Sequence, residues 1–326
     1  MKVLVTGATG FTGSHLARRL NDLCYDVRVI VRKKSKIEQF KSYDPEIIQG
    51  DIRDRDVVER AVKGVEKVFN IAAIFRTAGV SDKVYWETHV NGTQNLLNAS
   101  KKNNIERFIH CSTVGVHGHI ENPPADETYP FNPGDIYQVT KLKGELIALK
   151  YHMETKLPLT IIRPCSIYGP GDMRLKKLFR LCSKDIIPIL GDGNVFYHMV
   201  YIDDLVDAFV LAAENKAAIG EAFIVGGSEC YTLNQIIDLI AEKNEKMPLK
   251  LYLPAKPFQL LGSLCESLCI PLRINPPIYR RRVDFFTKSR SFDISKIKKL
   301  LNFEPKYSLR EGLETTHTWY NQRGLL

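Results

Sequence analysis

The chain has 326 residues, 44% of them hydrophobic and 25% charged, with a formal net charge of +9. These are the values of a globular protein long enough for a substantial core, and they exclude a disordered or fibrous chain. A positive balance can serve nucleic acid, an anionic membrane or phosphorylated small molecules. The basic residues are nevertheless spread along the sequence and read first as a solvated surface, with no nucleic-acid partner expected; Arg32-Lys33-Lys34 and Arg280-Arg281-Arg282 are the clusters that stand out.

In chain order, Val3-Leu4-Val5-Thr6 predicts a strand, residues 13–23 a helix, Val27-Arg28-Val29-Ile30-Val31 a second strand and Glu46-Ile47-Ile48-Gln49 a third. Residues 57–62 then have helical spacing, and Lys67-Val68-Phe69-Asn70-Ile71 reads as a buried strand. A helix over 86–103 leads into the strand Arg107-Phe108-Ile109-His110-Cys111. This alternation predicts an α/β fold, a doubly wound parallel sheet with helices on both faces. Residues just after each strand become functional suspects, because the ligand crevice of such a sheet lies at the carboxyl ends. After about Gly171 the rhythm changes to proline-rich segments and isolated helices at 203–214 and 233–243. A nucleotide-binding domain over 1–170 and a smaller C-terminal α/β substrate lobe over 171–326 are expected, with some interleaving of segments.

The seven cysteines are odd in number and form no CxxC pair. Met1-Lys2 runs straight into the first strand, so no secretory leader is expected and the thiols read as reduced, in a cytoplasmic protein. No metal is expected: Cys265 and Cys269 lie one helical turn apart, but no second ligand pair is near. Residues 258–270 are the most membrane-like stretch, yet too short to span a bilayer and interrupted by Glu266. Bracketed by Pro257 and Pro271, they predict an apolar helix that must be buried in protein, ligand or membrane. Core burial, a substrate-lining face turned towards Tyr137, and an interfacial role all stay open.

Thr6-Gly7-Ala8-Thr9-Gly10-Phe11-Thr12-Gly13 joins the first strand to the first helix. Glycine permits a tight turn and close backbone approach, while the helix N-terminus offers free N–H groups to a pyrophosphate. The strand-to-helix setting makes Gly7, Gly10 and Gly13, with Thr9, Phe11 and Thr12, a dinucleotide cradle. The run resembles the extended short-chain dehydrogenase/reductase family, which includes the NAD-dependent epimerase/dehydratase group. The likeness runs nearly end to end, to Leu300-Leu301-Asn302-Phe303-Glu304-Pro305 and Trp319-Tyr320. It implies a Rossmann fold, contacts of Asp51 and Ile52 with adenine, and Ala72 and Ala73 flanking the cofactor. The second strand ends in Val31-Arg32-Lys33-Lys34, without the acid that would bind both ribose hydroxyls. Arg32 can instead bond a 2′-phosphate, so the expected cofactor is NADP, with NAD as the alternative.

Tyr137-Gln138-Val139-Thr140-Lys141 places a phenol and an ammonium four residues apart, on one helix face. A phenol titrates near pH 10, and the neighbouring Lys141 together with a positively charged nicotinamide is expected to lower that value. The resemblance adds a hydroxyl at Thr113, with Ser112 the neighbouring alternative. It also gives Lys141 a bond to the nicotinamide ribose and sets Pro164, Cys165 and Ser166 beside the nicotinamide. Asn91 matches the family's helix motif in a structural role. Sugar dehydratases of the family carry Asp-Glu just after the threonine; here Val114 and Gly115 stand there, which argues against elimination of water. Many nucleotide-sugar enzymes also carry an arginine, between motifs matching Gly191-Asp192-Gly193 and Val200-Tyr201-Ile202-Asp203-Asp204-Leu205, where this chain has Tyr197-His198. Arg174, Lys176, Lys177 or Arg180 would have to replace it. The expected activity is an NAD(P)-dependent dehydrogenase or reductase of a bulky alcohol or ketone, as in the hydroxysteroid dehydrogenase and dihydroflavonol reductase branches. A sugar epimerase using the same residues is the alternative, and an inactive cofactor-sensing protein a third. The family also suggests a homodimer through helices near 86–103 and 137–152.

Overall fold

Val3, Leu4 and Val5 are wholly buried, so β1 (Lys2–Thr6) is covered on both faces, as a central parallel strand is. The computed structural model describes residues 1–33, 35, 37–77, 79–269 and 280–326. Beside β1 run β2 (Asp26–Val31), β3 (Glu46–Gln49), β4 (Lys67–Asn70), β5 (Arg107–Cys111) and β6 (Leu159–Pro164). The chain then leaves this sheet for β7 (Ser166–Tyr168), β8 (Ile186–Leu190) and β9 (Phe196–Tyr201), and returns with β10 (Ala222–Val225). Every pairing in the order β10-β6-β5-β4-β1-β2-β3 is parallel. The fold is thus the expected Rossmann-type sheet. Its order reverses between β1 and β4, which is where a crevice opens.

Helices α1 (Phe11–Asp22), α2 (Arg55–Val62), α3 (Asp82–Trp86), α4 (Gly92–Lys102) and α5 (Ile136–Thr155) lie in the crossovers. Beyond α6 (Lys176–Cys182), α7 (Ile202–Glu214) packs against α1. Alternate residues of β1 enter opposite cores: Val3 and Val5 meet the α1 and α7 side, Leu4 the side of α2 and α4. The rest of the chain adds β11 (Cys230–Thr232), α8 (Leu233–Lys243), β12 (Leu249–Leu253), α9 (Ala255–Cys269), α10 (Arg280–Thr287), α11 (Ser295–Leu301) and α12 (Leu309–Gln322). Its strands build two small sheets, β11-β9-β7 and β12-β8.

The helix expected over 86–103 starts earlier, at Asp82, and a π turn over Glu87–Asn91 joins α3 to α4. Such wide turns are rare inside helices and have no periodic signature. This one contains His89, whose side chain is buried, and Asn91, which is exposed.

Among the described residues, one ion pair lies wholly inside the protein. Arg163 on β6 meets Glu145 on α5 at 2.6 Å, and both side chains are inaccessible. Removing one partner strands a buried charge. Glu145→Ala is therefore expected to lower the unfolding free energy by about 3–5 kcal/mol, measured by urea denaturation. Glu154→Ala, which removes the exposed pair with Lys150, should cost less than about 1 kcal/mol.

Candidate active site

Gly7 follows β1 with a φ of +70°, which glycine adopts without strain. A side chain there would begin 2.8 Å from the Ala72 Cα, and one on Gly13 would begin 2.3 Å from the Gly7 carbonyl oxygen. The two glycines let the end of β4 and the first turn of α1 close on one loop. Gly10 occupies the helix cap without a side chain, so the first-turn N–H groups of α1 are left for a ligand. With Thr9, Phe11 and Thr12 the loop fits a pyrophosphate. The Thr6 hydroxyl, given no role by the sequence, sets its far wall: it accepts from the Ile71 and Ala72 N–H groups at 3.1 and 3.0 Å and donates to Asn70 Oδ1 at 3.0 Å.

At the end of β2, Arg32 is exposed, and its charge reaches Asp51. Burial alone would raise the Asp51 carboxyl. Arg53, which bonds it through Nε and Nη2 at 3.1 Å, outweighs burial and holds it below the usual range. Ile52 is buried in the core, its carbonyl accepting from Asn95 Nδ2 at 3.1 Å, while Ala72 is half-buried and Ala73 exposed.

Helix α5 starts at Asp135, whose carboxylate accepts from the Gln138 N–H at 2.9 Å and from Arg76 Nε at 2.7 Å. Tyr137 and Lys141 are both buried one turn apart on this helix. The Lys141 ammonium donates to the Cys111 carbonyl, leaving two N–H bonds for other partners. Thr113 stands within hydrogen-bond reach of the Tyr137 phenol, and its oxygen accepts from the Gly115 N–H at 3.0 Å. Ser112 is buried without a hydroxyl partner among the described residues. Pro164 ends β6 and Ser166 opens β7; between them burial pushes the Cys165 thiol up. The ends of β1, β4, β5 and β6 thus bring the glycine loop, Ala72, Thr113 and Pro164 to one edge of the sheet.

The protein alone does not lower the phenol pKa. Burial pushes the Tyr137 pKa well above its ordinary value, and Cys111 adds to the rise. Arg76, Arg174 and Thr113 pull it down without offsetting burial. Lys141 is itself shifted down by desolvation. The interior penalises a phenolate more than the flanking cations favour it, so further positive charge has to arrive with a ligand.

Three neighbours of Tyr137 carry no sequence signal. Phe75 meets its ring edge-on at 5.0 Å, and the Arg76 guanidinium lies 5.6 Å from its centroid. His89 stands edge-on at 5.7 Å. Its Nε2 accepts the Ile74 N–H at 3.0 Å, so Nδ1 carries the proton and donates to Thr140 Oγ1 at 2.8 Å. Desolvation, aided by Lys141, pushes the His89 pKa down to about 3.

In the C-terminal half, His198 is buried and bonded to the Gly227 carbonyl at 2.8 Å, and Tyr197 donates to the Phe285 carbonyl. Arg174 bonds Asp172 at 2.8 Å while its charge reaches Tyr137, and Arg180 donates to the Leu325 carbonyl at 3.1 Å. A further cation, Arg290, pairs with Tyr197 in the chain return after α10, its guanidinium 5.7 Å from that ring. The helix expected over 258–270 forms as α9, with Ile270 and Pro271 outside the described residues. Of the three alternatives, core burial does not hold for its leucines: Leu260 is 73%, Leu264 59% and Leu268 60% exposed, and the helix packs chiefly on α10.

Residues 3–226 match the model of the NAD dependent epimerase/dehydratase family, and the chain belongs to that family. It is 28% identical to the decarboxylating sterol-4-alpha-carboxylate 3-dehydrogenase of Candida albicans, over 98% of this chain and 97% of that one. It is equally 28% identical to the N-acetyl-alpha-D-glucosaminyl-diphospho-ditrans,octacis-undecaprenol 4-epimerase of Escherichia coli O157:H7, over 96% and 93%. Among solved structures, the UDP-glucuronic acid 4-epimerase of Bacillus cereus superposes with a TM-score of 0.79 at 30% identity, covering 99% of this chain and 100% of that one. The protein is therefore an enzyme of the NAD-dependent dehydrogenase and epimerase kind.

His89 gives the site a pH signature. Its folded pKa of about 3 lies below the ordinary 6.5, so between those values the unfolded chain binds a proton that the folded one refuses. Stability is full above pH 6.5 and falls as pH drops, by up to about 1.4 kcal/mol per unit from this residue. Unfolding free energies measured from pH 7 to 4 should show a shallower decline in His89→Gln than in wild type; equal slopes would contradict the assignment.

Proposed function

We propose that this enzyme is an NAD(P)-dependent dehydrogenase or reductase acting at a secondary alcohol or ketone of a bulky substrate, with Thr113, Tyr137 and Lys141 as its catalytic set. The observation that carries the reading is a buried phenol with a hydroxyl beside it, at Tyr137 and Thr113, and no carboxylate following at Val114 or Gly115. That set can exchange a proton but has no acid to expel water. Gly7, Thr9, Gly10, Phe11, Thr12 and Gly13 would hold the pyrophosphate; Arg32, Asp51 and Ile52 would face the adenosine; Ala72, Ala73, Pro164 and Ser166 would border the nicotinamide. The nicotinamide supplies or takes the hydride when bound. Thr113 would donate a hydrogen bond to the substrate oxygen and orient it, keeping its own proton. Tyr137 gives a proton to that oxygen in reduction and takes one in oxidation. Lys141 keeps two N–H bonds for the ribose and adds its charge near the phenol.

The sterol dehydrogenase relative supports a substrate with a large apolar body, and so does the undecaprenol-linked sugar of the other. Arg290 beside Tyr197 favours the second reading, a sugar epimerase with the same three residues, because it offers a cation where the sequence has no arginine. In either case the C-terminal half would carry the substrate. The helices α4 and α5, with Trp86 and Leu146 exposed nearby, would form a homodimer contact.

Tyr137→Phe is expected to lower turnover by about 10²–10⁴-fold with cofactor affinity nearly intact, since only the proton-exchanging oxygen is lost. Single-turnover rates and cofactor titration check both halves, and full activity would refute the role. Arg32→Ala is expected to shift the NADP-to-NAD affinity ratio about tenfold towards NAD, the worth of one charge-assisted phosphate contact. Titration of both cofactors reads that ratio, and an unchanged value would remove Arg32 from the phosphate site.

A further inference from the structure

Helix α9 presents Leu260, Leu261, Leu264 and Leu268 to solvent, each at least 49% exposed, and β12, which runs into it through Pro254, exposes Leu249 and Leu251. At positions 260, 264 and 268 the leucines repeat every four residues, so they form one stripe along the helix. Opposite this stripe α9 packs on α10, where Gly262 and Val283 are buried. A leucine stripe of this kind left in water is unfavourable, and in an ordinary surface helix such residues face the core.

Charge identifies what covers it. The positive excess, which at first sight is spread along the sequence, is concentrated here. Residues 246–290 hold nine Lys and Arg against two acids, Glu266 and Asp284, which makes +7 of the chain's +9. Lys246 and Lys250 pair with Asp185 and Asp238 outside this stretch, and Lys288 with Asp284, so the excess rests on the remaining cations. A leucine-faced helix flanked on both sides by basic stretches has the composition of an element that lies in the plane of an anionic bilayer, although the helix itself carries only Lys256 and Glu266. Nucleic acid would satisfy the charge but not the leucines. Among the described residues no helix is long and apolar enough to cross a membrane, so the contact would be with the surface.

We propose that α9 and the adjoining basic segment dock this enzyme on an anionic lipid surface. The docking element stands close to the candidate cleft. Helix α10 leads into Lys288, whose ammonium lies 3.8 Å from where a side chain on Gly134 would begin, three residues before Tyr137. A substrate with an apolar body could then pass from the lipid phase to the cleft without crossing water. The docking rests on the exposed leucines and the charge count and does not require the proposed reaction.

The test is flotation of the purified full chain with vesicles of phosphatidylcholine alone and with half phosphatidylglycerol. The protein should float with the anionic vesicles, at least about tenfold less with the neutral ones, and should be released by high salt. The triple change Leu260→Ser, Leu264→Ser and Leu268→Ser should lower flotation about tenfold or more. NAD(P) binding by the variant, read by titration, shows that it is folded and keeps this result separate from any failure of the proposed chemistry. Lys256→Glu, a milder change at an exposed position, should weaken binding in the same direction. Absence of wild-type flotation, or flotation that neither variant alters, would overturn the proposal. So would a wild-type dimer that the triple variant converts to monomer while vesicles bind neither form, since a second copy of the chain would then cover the leucines.

Discussion

The buried pair of Glu145 and Arg163 is the joint on which the candidate site hangs. Glu145 lies one turn beyond Lys141 on α5, and Arg163 immediately precedes Pro164 on β6. The same guanidinium donates to the Glu127 carbonyl at 2.9 Å, approaches His117 Nε2 at 3.2 Å and stacks 5.0 Å from the Phe131 centroid. One arginine therefore fixes the helix with the phenol, the strand leading to the nicotinamide side, and the loop between Thr113 and Tyr137. In a low-dielectric interior such a pair is costly to desolvate and tolerates little displacement. That intolerance holds the three stretches in register. Glu145 also favours the charged form of Lys141, opposing the burial that lowers it.

Around this joint the site is built to keep a phenol neutral until charge arrives. Tyr137 sits among Phe75, His89 and Arg76, and none of the three can take its proton: a phenyl ring, a histidine held neutral, and a guanidinium engaged by Asp135. The expected lowering of the phenol pKa drew on Lys141 and on a bound nicotinamide together; in the chain by itself desolvation of the phenol dominates. If Tyr137 exchanges the proton as proposed, a bound cation would add the positive charge that its surroundings lack.

The local parts of this arrangement were legible in the sequence. The alternation of strands and helices, the glycine run after β1 and the four-residue spacing of Tyr137 and Lys141 all depend on neighbours a few residues apart. What was not legible depends on distant parts of the chain. His89 reaches the site through a π turn that no hydrophobic period announces. Thr6 acts by bonding backbone at the end of another strand, and Arg290 meets Tyr197 from 93 residues away. Strands as short as β7 and β11 are below the length at which alternation can be read. The apolar character of α9 was plain, but its surroundings were not: composition fixes that a leucine face needs cover, and only the packing shows that α10 and the core do not provide it.

The dehydrogenase and epimerase readings use the same three residues and part over what happens to the cofactor. An epimerase returns the hydride to its own substrate and retains its cofactor, whereas a reductase must exchange it each turn. Mass spectrometry of the nucleotide released on denaturing the purified protein separates them directly. The present account predicts little or no retained nucleotide, with NADP taken up and released freely when supplied. A stoichiometric amount of tightly held NAD, carried through purification, would contradict it.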